Sequence, residues 1–116
     1  MRIADYAAEI DHTIDRFKSH GARFGKMAGL EGSGQVGCIR LDPGGVLGRH
    51  RAHIPQMFCV IDGSGEVTGG DGRAQPIRAG QVAFWDAGER HGSSTVDGMT
   101  AIVIELTSMQ TTEARP

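Results

Sequence analysis

The sequence has little of what would mark several familiar classes of protein. It holds two cysteines in 116 residues, Cys38 and Cys59, each inside an apolar segment and neither in a CxxC or a Cys/His cluster. That argues against a disulfide scaffold or a cysteine-based zinc site, and both thiols are expected to be reduced packing residues. Neither sign of charge dominates: the net charge is −2 and the basic residues form no stripe, so a nucleic-acid partner is not expected. Long apolar runs are missing too. Stretches such as Phe58 to Ile61 span only a few residues, and no signal-peptide core follows Met1. A cytoplasmic protein without a membrane partner is the expectation. No phosphate loop of the GxxxxGKS/T or GxGxxG kind precedes a helix, and no spacing argues for a Ser/His/Asp or Cys/His arrangement.

What the chain does have is glycine, 18 of 116 residues, against an average usage of roughly 7%. From Arg23 onward short apolar runs alternate with turn signals, among them Pro43-Gly44-Gly45, Asp62-Gly63-Ser64-Gly65, Gly69-Gly70-Asp71-Gly72, Ala87-Gly88 and Asp97-Gly98. Turn spacing of roughly eight to twelve residues is that of a sandwich or closed barrel. Gln35 to Leu41, Gln56 to Ile61, Gln81 to Trp85 and Met99 to Leu106 read as strands, being rich in Val, Ile, Phe and Cys and too short for core helices. An all-β fold in one domain follows. Residues 1–20 form an N-terminal segment that fits a short helix plus an edge strand, with an extended reading also open. Residues 21–107 form the barrel, and 108–116 a polar tail with no sign of tight docking.

Within Gln56 to Ile61, alternation puts Gln56, Phe58 and Val60 on one face, so Gln56 is a lone amide on an otherwise apolar side. A buried amide needs a partner. Histidines fall in two further places, His50 and His53 after Gly48, and His91 after Glu89. Neutral imidazole is the commonest protein ligand for divalent metals, and two distant clusters meet only if the sheet curls over.

These residues resemble the cupin superfamily. Its first motif is Gly, five residues, His-x-His, three or four residues, Glu, six residues, Gly; here stand Gly44, His50, Gln56 and Gly63. Its second is Gly, five residues, Pro-x-Gly, two residues, His, three residues, Asn; here stand Gly80, Asp86-Ala87-Gly88, His91 and Thr95. The resemblance covers about residues 35–106 and implies a double-stranded β-helix, a jelly-roll barrel that is commonly a homodimer, with ligands pointing inward.

It also implies a divalent metal (Zn, Fe, Mn or Ni) held by His50 and His91 with Gln56 and His53. Phe58, Val60 and Phe84 would then be pocket wall. The sequence departs from the pattern at Ala52, which replaces the second histidine, and at Gln56, which replaces the glutamate. A bulge would be needed to turn His53 inward. Neutral ligands leave a dication uncompensated, so Glu89 is the candidate for the missing negative charge. Two kinds of function stay open. One is a metal-dependent enzyme on a small molecule, whether dioxygenase, isomerase, lyase or decarboxylase. The other is a metal-free module that binds a small ligand, or a sugar-modifying, epimerase-like enzyme using His50 or His91 as base.

Overall fold

A computed structural model describes residues 1–111 of the chain. Among them run the strands β1 (Arg2–Asp5), β2 (His12–Ile14), β3 (Ala22–Phe24), β4 (Ala28–Leu41), β5 (Val46–Arg51), β6 (Gln56–Thr68), β7 (Ala74–Arg78), β8 (Gln81–Trp85), β9 (Arg90–Ser94) and β10 (Met99–Thr111). The order β1-β8-β6-β10-β4 makes one curved sheet. A second face is built where β9 pairs with β5 and with the far end of β6, and where β7 pairs with β6. No described helix is long and apolar enough to cross a membrane.

The curl depends on β6. Its first residues pair with β8 and β10, and from Ser64 onward it pairs with β7 and β9, so one strand serves both faces. The crossing is sharpened by a register shift against β10, where Ala101 faces Val60 and Thr100 faces Asp62, leaving Ile61 as the extra residue. Such a bulge bends a strand and increases its twist. Gly63 completes the corner with φ 78°. A Cβ there would run into the Gly98 carbonyl oxygen, so only glycine permits the close approach. The glycines at 62–65 therefore bend a strand rather than end it, whereas those at 44, 72, 80, 88 and 98 lie in connections between strands.

Alternation then divides the apolar residues. Phe58, Val60, Val67, Ile77, Ala83, Trp85, Met99, Ala101 and Val103 form the barrel interior, and Met57, Cys59, Val82 and Phe84 pack on the other side of the sheet. The two cysteines part company for the same reason. Cys59 is buried, and desolvation pushes its thiol up to about 11, whereas Cys38 is exposed rather than packed.

The ends of the chain differ from the sequence reading. The N-terminal segment contains no α-helix; β1 is the edge strand on β8, and only a single 3-10 turn, Tyr6–Glu9, follows it. Further along this segment, β2 pairs with β3 in a separate two-stranded hairpin rather than forming a helix, and Ile10 and Phe17 remain 41% and 83% exposed. At the other end β10 continues past a bulge, and Ser108 to Thr111 pair with Glu31 to Ala28, so these residues are strand rather than tail. The remainder of the expected tail, 112–116, lies outside the described residues.

Gly63→Ala should destabilise the fold by at least about 1–3 kcal/mol, the usual cost of a non-glycine residue held at positive φ. In urea the midpoint should fall while the slope stays unchanged.

Candidate ligand pocket at the barrel mouth

Two cross-strand rows face one another at one end of the barrel. The first lies in register across four strands: Gln35 of β4 is opposite Glu105 of β10, Glu105 opposite Gln56 of β6, and Gln56 opposite Trp85 of β8. The second is His50 of β5 directly opposite His91 of β9. A register shift between Leu47 and His50 sets that match. The bulge thus falls before His50, where it pairs the two imidazoles, and not after it, where it would have turned His53 inward.

The rows enclose a cavity of about 80 Å³ whose lining includes His50, Gln56, Trp85, His91, Ser93 and Glu105, with Phe58 and Val103 also contributing apolar wall. A wider and more open cleft of about 430 Å³, lined by His12, Phe17 and Phe24, lies on the N-terminal hairpin away from this cluster.

In the first row Gln56 Nε2 donates to Glu105 Oε1 at 2.6 Å and Gln35 Nε2 donates to Oε2 at 3.1 Å. Both oxygens accept an amide N–H, the arrangement of an ionised carboxylate. In the second row the ring centroids of His50 and His91 are 4.4 Å apart, and His91 stacks on the indole of Trp85 at 4.3 Å. Trp85 is itself fixed by Nε1 donating to the Thr68 carbonyl at 3.0 Å. His50 Nδ1 lies 2.7 Å from the Gly48 carbonyl. A carbonyl only accepts, so Nδ1 carries the hydrogen, and in the neutral ring Nε2 is left with a lone pair.

His91 is 2% exposed and Ser93 6%. Ser93 Oγ is buried without a hydrogen-bond partner among the described residues, and His91 Nδ1 is buried with no well-aligned partner, the Glu89 carbonyl being the acceptor that acts on its ring. Burial holds the His91 imidazole below its ordinary pKa, and the neighbouring His50 adds to this. The Glu89 carbonyl and the carboxylates of Glu89 and Glu105 oppose the shift without cancelling it.

The other expected site residues lie elsewhere. His53 is exposed beyond the end of β5, which stops at Arg51. Phe84 is on the far face of the sheet with the Arg2 guanidinium 5.1 Å over its ring, and Val60 lies in the barrel interior below the cavity lining. Glu89 does not line the pocket, although its charge still acts on His91 from outside. Its carboxylate accepts from the Met1 ammonium at 2.7 Å, the Gly70 N–H at 2.8 Å and the Asp86 N–H at 3.0 Å. Burial alone would raise its pKa, but these donors outweigh burial and leave it below the ordinary value. Glu89 thus ties the β6–β7 hairpin to the loop that delivers His91.

The carboxylate that lines the pocket is that of Glu105, which the sequence reading missed. The signal was present: Glu105 is the only charged residue between Met99 and Leu106, and it is in phase with Ala101 and Val103.

A divalent metal is a weak match to these residues. Among those described, no three of His, Cys, Asp or Glu are grouped so as to hold a metal ion. Ala52, buried at 2% exposure, occupies the place of a further imidazole, and Gln56 directs its amide N–H at Glu105. The expected set of His50, His53, Gln56 and His91 is not assembled.

A barrel in which one strand serves two faces, with inward histidines from two remote motifs, defines the double-stranded β-helix class. The family model described as Cupin domain matches residues 37–106, more than half of the chain, and the chain belongs to this family. No curated protein matches the sequence. Among solved structures the chain is similar to a predicted oxalate decarboxylase from Thermotoga maritima. Identity is 24% and the TM-score 0.58, over 63% of this chain and 65% of that one, just under two thirds of its length. It is also similar to an RmlC-like cupin from Shewanella frigidimarina, at 21% identity and TM-score 0.59 over 74% and 71%. A third is the DMSP lyase DddQ from Ruegeria pomeroyi, at 16% identity and TM-score 0.60 over 74% and 46%. At these identities the likeness is one of fold.

The depressed His91 pKa sets a pH dependence. The unfolded chain takes up this proton near pH 6.5 and the folded chain only at lower pH, so stability declines as pH falls from about 6.5 through the folded value. Denaturation midpoints measured across this window should show the decline in the wild type and lose that component in His91→Gln.

Proposed function

We propose that this protein is a small-molecule-binding cupin whose barrel-mouth pocket takes an organic ligand in place of a resident metal. The observation that carries this is a small apolar-walled cavity that gathers His50, His91, Ser93 and Glu105, with Ser93 Oγ buried and unpaired among the described residues. An unpaired buried polar group costs about 1–3 kcal/mol, and a ligand that bonds to the Ser93 hydroxyl removes that cost. The two imidazoles fall short of the three or four protein ligands a stable centre uses. They still suit hydrogen bonding, since His91 is kept neutral by burial and His50 is held by the Gly48 carbonyl.

The working unit is a homodimer in this reading. Strand β4 is an edge of the large sheet, 14 residues long, and its Val36 is 71% exposed. Long uncovered edges invite pairing with another chain.

Native mass spectrometry of untagged protein examines both parts together. The expected spectrum is a dimer carrying a small organic adduct, with the adduct lost in His91→Ala and with metal well below one equivalent. One tightly held metal per chain that depends on His50 and His91 would overturn the ligand reading, and a monomer at working concentration would overturn the dimer.

A further inference from the structure

The polar groups around the cavity are unequal in kind, and the imbalance identifies the chemistry of the occupant. Glu105 brings a carboxylate into the lining, and its two bonds to Gln56 and Gln35 leave each oxygen with an unused lone pair. His50 spends its Nδ1 hydrogen on Gly48, so whenever the ring is neutral it has only an acceptor left. Against these acceptors stand the Ser93 hydroxyl and the single N–H of a neutral His91. Among the described residues no lysine or arginine lines the cavity. A volume of about 80 Å³, roughly half that of a cavity of about 150 Å³ that holds benzene, admits only a few non-hydrogen atoms.

We infer that Glu105 is the specificity-determining residue of this pocket, selecting a small hydrogen-bond-donating head group, cationic or hydroxylic, and rejecting carboxylates. This rests on the ligand-binding reading above and goes beyond it by naming the class of ligand and the residue that chooses it. The physical basis is the sign of the charge in a partly dry cavity. An ammonium or hydroxyl meets acceptors that lack donors, whereas a carboxylate meets a like charge with no cation to offset it.

Three probes of matched size separate the possibilities: ethylammonium, ethane-1,2-diol and acetate, each titrated in the presence of a chelator. The chain has one tryptophan, Trp85, which lines the cavity and stacks on His91, so its indole N–H resonance reports occupancy without ambiguity of assignment. Wild type should bind ethylammonium at least about tenfold more tightly than acetate, with the diol between them, and Glu105→Gln should abolish that ranking. The order of the three probes in the wild type needs no variant, so the inference stays open to refutation even if Glu105→Gln does not fold.

Binding of acetate equal to or tighter than ethylammonium overturns this inference and leaves the ligand-binding reading standing. A ranking unchanged in folded Glu105→Gln removes Glu105 from the role. If no probe moves the Trp85 resonance, the inference falls together with the reading beneath it.

Discussion

One strand obliged to pair on two faces is the constraint on which the rest of this structure depends. The 13 residues of β6 begin beside β8 and β10 and end beside β7 and β9, and the bulge at Ile61 with the corner at Gly63 allows the turn between them. Without that bend the chain would form a flat sheet, with His91 and Gln56 on separate surfaces. With it, the β5–β9 ribbon folds over the β8-β6-β10-β4 face, and two rows of side chains meet across a small hollow.

The chemistry of the hollow follows from which residues alternation points inward. Below the polar rows, Phe58 and Val103 are opposite one another and give an apolar wall, which lowers the local dielectric and makes each unpaired polar atom matter more. Trp85 bridges the rows: it is in register with Gln56 and stacked on His91. Glu89 acts one step further out, joining the Met1 ammonium, Gly70 and Asp86 near the β9 strand start. It is a positioning residue whose carboxylate is spent on structure.

Much of this was legible in the sequence because periodicity and turn chemistry are local. Glycine spacing announced an all-β barrel, and the two motifs located His50, Gln56 and His91. What was not legible needed knowledge of register. His53 is exposed past the end of β5 and Cys38 is exposed on β4, which only the position of a bulge or the covering of a strand decides. Glu105 was hidden in an apolar run, although its phase with Ala101 and Val103 marked it as inward. Glu89 looked like the missing anion because it sits two residues from His91; the donors that claim it come from Met1 and Gly70, both remote in sequence. The N-terminal segment reads as partly helical because strand pairing is not visible locally: Arg2–Asp5 pair with β8 and His12–Ile14 with β3.

The central claim is that the β5–β9 imidazole pair folds over the β6–β10 amide–carboxylate pair with Trp85 between them. Proton–proton Overhauser contacts among assigned side chains in solution measure it most directly. Cross-peaks linking the His50 and His91 rings, and the His91 ring to the Trp85 indole, are expected. If those are missing while His53 shows contacts to Trp85, the imidazoles do not share the hollow and the account is wrong.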